Sequence, residues 1–160
     1  MCAPWVFAEI IRGITVKIVR MTSRFDGYNW IVRLSKGELL MESLDSFIKE
    51  HNIAGGWVNG LGAAVWAELG FYDLHAQQYN FKKLDQLLEI TSLQGNIAWV
   101  DNKPFVHLHG TFSNAEMQGL GGHVKELEVG GTCEIYIHTW EGEPIARVLD
   151  AETGLPLLDL

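Results

Sequence analysis

"LLEITSLQGNIAWV", residues 87–100, and "PFVHLHGTF", residues 104–112, decide how this chain is read. Both are apolar stretches of strand character. Asn102 and Lys103 follow Asp101 and turn the chain from one into the other. The first stretch reads as one bent strand or two. The second places His107 and His109 where an apolar strand is expected. In a strand, residues i and i+2 share a face and stand about 6.6 Å apart, from a rise of about 3.3 Å per residue. The two imidazoles therefore project side by side.

Upstream, "YNWIVRL" (28–34) reads as another strand. In "SKGELLMESLDSFIKEHN", Ser35 and Glu38 match the S-x-x-E capping box before an apolar run. Leu40, Leu44, Phe47 and Ile48 fall on one helical face, and Asn52 suits a left-handed stop. This is the one helix that the pattern supports. "GGWVNGLGA" (55–63), "VWAELGFYD" (65–73) and "QYNFKKLD" (78–85) read as strands, the first bent or closely approached at its glycines. A polar loop, "SNAEMQGLGGH", leads to "VKELEV" and then to a long strand, "TCEIYIHTW" (132–140). The tail, "IARVLDAETGLPLLDL", can end on a short strand. The expected class is α+β: a mainly antiparallel β-sheet with one principal flanking α-helix, in a single domain.

The chain has 160 residues, 48% apolar and 20% charged, which is enough to bury a core without disulfide or metal scaffolding. Seventeen glycines and six tryptophans fit a sheet-rich protein with many turns or close subunit contacts. Net charge is −8, and no cationic run is longer than Lys82–Lys83. Direct nucleic-acid binding is disfavoured, because such binding is driven largely by phosphate neutralisation. Cys2 and Cys133 are far apart, with no CxxC, which favours a reducing cytoplasm. No apolar run approaches the roughly 20 residues of a membrane span. Residues 1–20 lack a basic start and are interrupted by Glu9 and Arg12, so they make a poor signal peptide. They read as an N-terminal extension ahead of Met21, or alternatively as an extra edge strand at 14–19.

Two histidines on a strand can converge on one cation, because Zn–N bonds are about 2.0–2.1 Å. His123 follows the run "GLGG", whose backbone can come close and aim a side chain inward. Three histidines would leave a coordination position open, as in catalytic or ligand-binding zinc sites. Two other readings remain open at this point. The histidines can be buried, neutral and hydrogen-bonded to backbone or carboxylates, or they can line a subunit interface. His138 shares a strand face with Glu134, Tyr136 and Trp140; it is a fourth ligand, a donor behind the ligands, or an ordinary half-exposed residue. His51 ends the helix, where a cation suits the dipole, and His75 lies in a turn.

Other signals are weaker. "GLGGHV" lacks a Gly-Lys-Ser/Thr, and "GLGAAV" precedes a strand where a dinucleotide loop precedes a helix. Trp57, Trp66, Phe71, Tyr72, Phe81 and Trp99 suit packing better than base stacking. Glu68, Glu89 and Glu116 are acids that could serve a metal site, and nothing in the sequence selects among them.

Taken together, "GELLMESLDSFIKEHNI", "GGWVNGLGAA", "LGFYD", "LEITSLQGNIAWVDNKPFVHLHGTFS" and "GLGGHV" resemble the PPC (plants and prokaryotes conserved) domain. The likeness runs over about residues 24–150, which leaves 1–20 as extension and 151–160 as tail. The resemblance implies a homotrimer, related to stand-alone prokaryotic proteins and to the PPC domain of plant AT-hook proteins. It implies a metal, zinc, held by the H-x-H pair and the GGH histidine, here His107, His109 and His123. Plant members largely lack the H-x-H pair, so the fold does not require it. No Arg-Gly-Arg core of an AT-hook occurs in this chain. Trimer formation has a separate rationale, since exposed sheet edges need covering.

Three functions follow. One is a trimeric zinc protein whose open position holds a small ligand or, as a hydrolase or lyase, activates water. Another is a DNA-associated regulatory module acting through partners. The third is a structural oligomer whose histidines only seal an interface.

Overall fold

The computed structural model describes residues 10–11, 14–15 and 21–160. Strands β1 (Ile10–Ile11) and β2 (Ile14–Thr15) pair as a two-residue antiparallel ladder. The remainder of the 1–20 stretch, and with it the choice between extension and edge strand, lies outside the described residues.

The main sheet is built on two very long strands, β5 (Gly56–Asp73) and β9 (Gly119–Thr139), paired antiparallel along most of their length. Each absorbs segments that the sequence pattern separates. β5 joins "GGWVNGLGA" to "VWAELGFYD", and β9 joins "GLGGH" through "VKELEV" to "TCEIYIHTW". The breaks in pattern are irregularities within the strands: register shifts fall between Gly62 and Ala64, between Ala64 and Trp66, and between Glu68 and Leu69. Gly62 explains one of them. It sits at φ 155° with a would-be Cβ 2.2 Å from the Thr132 carbonyl oxygen, so only hydrogen fits there.

Shorter strands flank this pair. β4 (Asn29–Ser35) lies on β9, and β3 (Thr22–Phe25) lies on β4 at the edge. The polar "TSRF" of β3 carries no apolar alternation, which is why the sequence reading passed it over. β6 (Gln78–Leu84) pairs with the C-terminal half of β5. β7 (Leu88–Val100) is a single strand with one irregularity near Ile90, and it forms a hairpin with β8 (Lys103–Ser113). Asp101 and Asn102, at φ 49° and 60°, make the two-residue turn. Positive φ at both central positions matches the twist of hairpin strands. β7 also pairs with β5, and β8 with β9, so the ladder closes on itself. The tail forms its own hairpin, β10 (Arg147–Leu149) with β11 (Pro156–Leu158).

Helix α1 (Leu40–Glu50) packs on β8 and β9 and buries Leu40, Leu44, Phe47 and Ile48, the face expected. Inward residues Val32, Leu34, Leu108, Phe112, Ile135 and Ile137 join the same core. The capping expectation needs correction. Ser35 is not the N-cap; Leu39 is, and its side chain makes no cap bond. The Glu38 carboxylate instead accepts the Ser35 and Met21 N–H groups, closing a turn before the helix. The first-turn N–H groups of Met41 and Glu42 donate to the carboxylate of Glu126 on β9, at 2.8 and 3.2 Å. A pattern confined to neighbouring residues could not see a cap supplied from 85 positions away. Asn52 does stop the helix at φ 51°. The described residues thus form a mostly antiparallel sheet with one helix, in one domain. No helix among them is long and apolar enough to cross a membrane.

Candidate metal centre

Strand alternation in β8 sends Val106, Leu108, Gly110 and Phe112 into the core. His107 and His109 therefore share the opposite face. β9 runs antiparallel beside β8, and His123 is the direct cross-strand partner of His109. His123 also pairs with Gly70 of β5 in the register. The glycines before His123 lie outside the loop, "SNAEMQGLGGH", in which the sequence pattern places them. They are the opening residues of β9, and the turn is Asn114–Gln118. Their role is close approach: a Cβ at Gly122 would stand 2.8 Å from the Gly70 carbonyl oxygen.

The three imidazoles offer one nitrogen each, all within 4.8 Å of one another. Ring centroids lie 5.1, 5.3 and 5.6 Å apart. His109 is exposed, while His107 and His123 are half-buried. Burial, the Arg147 guanidinium and His109 push the His107 imidazole down to about 4. Burial, with His107 and His109, pushes His123 down to about 4 as well. Both rings are therefore neutral near pH 7, the form that donates a lone pair to a cation.

The hydrogen-bonded alternative finds no support at these rings. His123 Nδ1 is buried without any partner, an arrangement that is costly for a polar atom unless something else occupies it. The contact of His107 is with Arg147, at 3.4 Å from Nη2 to Nδ1, and not with a carbonyl or carboxylate. The donor set, three convergent imidazoles with an orphaned nitrogen, fits a borderline-soft divalent cation.

The remaining candidates lie elsewhere. His138 is bonded through Nδ1 to Asn29 Oδ1 at 2.6 Å and stands outside the cluster, an ordinary surface residue. His51 caps the helix and packs on Trp30 and Phe47, with centroids 4.2 and 4.4 Å away. His75 sits in a turn held by Asp73. Glu68 pairs with Lys125 at 3.1 Å, Glu89 lines a separate cavity with Leu87 and Ser113, and Glu116 belongs to the Asn114 turn.

The sequence reading missed the surroundings of the cluster. A cavity of about 390 Å³ opens beside His107 and His123, walled by Tyr72, Tyr79, Phe105, Arg147 and Leu155–Leu157. The Tyr79 ring lies on that of His123, 4.8 Å between centroids. Arg147 arrives from the tail hairpin; its Nη1 donates to the Pro156 carbonyl at 2.6 Å and its Nη2 to Asn96 Oδ1 at 2.7 Å. Nothing local marks a lone arginine in a tail as a neighbour of two β8 histidines.

Comparison with curated proteins gives no match. Among solved structures, a metal-containing protein from Archaeoglobus fulgidus is 32% identical, with TM-score 0.79, over 91% of this chain and 100% of its own. A plant- and prokaryote-conserved protein from Pyrococcus horikoshii is 28% identical, with TM-score 0.78, over 94% and 98%. A candidate DNA-binding protein from Bacteroides thetaiotaomicron is 27% identical, with TM-score 0.84, over 87% and 96%. Residues 21–141 match the model of the Plants and Prokaryotes Conserved (PCC) domain, and the chain belongs to that family.

Proposed function

We propose that this chain is a homotrimeric, cytoplasmic metal-binding protein that holds zinc on His107, His109 and His123 and offers the remaining coordination position to a small ligand. The carrying observation is the convergence of three histidine nitrogens within 4.8 Å, with His123 Nδ1 buried and unpartnered. Similarity to an archaeal protein described as metal-containing supports the same reading. A zinc ion with three imidazole ligands supplies Lewis acidity and keeps a position for a fourth group. The protein's own residues supply the rest: the Tyr79 ring lies on that of His123, and Tyr72, Phe105 and Leu155–Leu157 give the adjoining cavity an apolar lining. Among the described residues no Asp or Glu lines the adjoining cavity, so ligand binding is favoured over hydrolase or lyase chemistry that needs a general base.

The trimer has support in the outward face of β4, β9 and β5. Ile31, Trp57, Leu61 and Tyr136 are exposed there on neighbouring register positions. Large apolar side chains exposed together on one sheet face suit an interaction surface. Elemental analysis of protein purified without chelator, beside His109→Ala, tests the metal. The expected result is one zinc per chain, lost in the variant; metal-free native protein would end this reading. Light scattering with and without chelator tests the trimer and whether the ion holds it together.

A DNA-associated role acting through partners is the second reading, favoured by likeness to a candidate DNA-binding protein. The charge of −8 opposes direct contact. Titration with duplex DNA at two salt concentrations discriminates, since phosphate contacts weaken steeply with salt.

A further inference from the structure

We infer that the cavity beside the histidine cluster binds a small organic carboxylate with an apolar body, its carboxylate shared between the bound metal and Arg147. The inference rests on the metal reading above and adds the class of ligand.

Charge comes first. Three imidazole ligands bring no negative charge to a divalent ion. Arg147 adds a further positive charge within 3.4 Å of His107. Among the described residues no acid lines the cavity and Arg147 takes part in no salt bridge. Its Nε is buried without a partner. The chain carries 20 acidic residues, yet none among the described residues lines the cavity that holds this guanidinium. Half-buried positive charge with no counter-charge is unfavourable, and a bound anion removes the imbalance.

The Arg147–His107 contact then says where that anion sits. A guanidinium can only donate, so His107 Nδ1 accepts and the ring proton lies on Nε2. In that state the ring has no lone pair left for a metal. Metal capture by His107 must therefore displace the Arg147 N–H. Asn96 and the Pro156 carbonyl still hold the guanidinium in place. The released N–H then needs an acceptor next to the ion, and a carboxylate bound to that ion provides one.

The walls define the rest of the ligand. Tyr72, Tyr79, Phe105, Leu155 and Leu157 surround about 390 Å³, within the range of small-molecule sites. Phosphate is the poorer match. Among the described residues the cavity holds a single guanidinium, no lysine and no helix N-terminus, whereas phosphate sites gather several such donors.

Isothermal titration of the zinc-loaded full-length protein with benzoate, benzamide and inorganic phosphate tests this, with zinc content measured on every sample. Benzoate is expected to bind saturably, and benzamide, its neutral isostere, not to bind. Arg147→Met is expected to keep its zinc and to bind benzoate at least tenfold more weakly, with Arg147→Lys in between. Should the Met variant fail to fold, the Lys variant and the wild-type contrasts of benzoate with benzamide, and of loaded with metal-free protein, decide the matter. Equal benzoate binding to metal-free protein, undiminished binding to the Arg147 variants, or preference for phosphate would each overturn the inference. Zinc uptake without benzoate binding removes this inference alone; no zinc uptake removes the metal reading with it.

Discussion

Gly95 on β7 offers a way to move one histidine without touching it. It is the cross-strand partner of Leu108, the residue between His107 and His109. A Cβ at this position would stand 2.0 Å from the His107 carbonyl oxygen and 2.9 Å from the Leu108 Cα. A relaxed carbon contact needs roughly 3.5 Å. Both obstacles are backbone atoms, so no side-chain rotation relieves them. Gly95→Ala must therefore push β8 from β7 by at least about 1 Å at His107, against a tolerance of about 0.2 Å in metal–ligand distances.

Overpacking of this kind costs about 1–3 kcal/mol. For a chain of this size that lowers the melting temperature by about 2–12 °C, at about 2–4 °C per kcal/mol. Zinc affinity should fall by about 10–100-fold, the usual effect of disturbing what orients a ligand. Gly119→Ala is the control. It lies on the His123-bearing strand, and nothing stands within 4 Å of its would-be Cβ. It should leave both quantities near wild type, since surface changes usually stay within about 0.5 kcal/mol. Thermal unfolding in chelator gives the stability, and competition with a chromophoric chelator gives the affinity. A Gly95→Ala protein matching wild type in both would show that the β7–β8 approach does not place His107.

Glu126→Ala removes the acceptor for the Met41 and Glu42 N–H groups and should cost about 1–2 kcal/mol, with Glu126→Gln losing less; urea unfolding measures it, and an unchanged midpoint would refute the cap. Leu44→Ala, at a fully buried position in α1, should cost about 2–5 kcal/mol, while Leu87→Ala on the exposed surface should stay within about 0.5. Asp150 is held below the ordinary carboxylate value by the Thr153 hydroxyl and N–H. Its folded value being lowered, its contribution is present above the unfolded value of 3.8 and disappears as pH falls through the folded one. The melting temperature of Asp150→Asn should therefore trail wild type near neutrality and meet it in acid; a gap that persists at low pH would contradict this.

What the sequence made legible was whatever repeats along one element. The α1 face, Leu40 through Ile48, and the same-face pair His107 and His109 are periodic facts, and both hold. What it hid was whatever depends on where elements cross. β5 and β9 were divided because their glycines carry no hydrophobic signal, although those glycines are what lets long strands bend and keep pairing. Ser35–Glu38 satisfied a local capping rule and closes a different turn, because the helix takes its cap from another strand.

The same division applies to the site. The three histidines were readable because two share a strand and the third follows a run of glycines. Their neighbours were not readable, since Arg147, Tyr79 and Asn96 come from the tail, β6 and β7. Those neighbours decide what the histidines can do. Convergent imidazoles alone admit any borderline divalent ion and any fourth ligand. An uncompensated guanidinium that must yield His107 before a metal binds links capture of the cation to arrival of an anion. Neither partner is then bound at full strength without the other, which is reciprocal coupling between two adjoining positions. The ligand's identity is therefore written in residues outside the histidine motif, and substitutions at Arg147 should separate chains that share the motif but differ in what they hold.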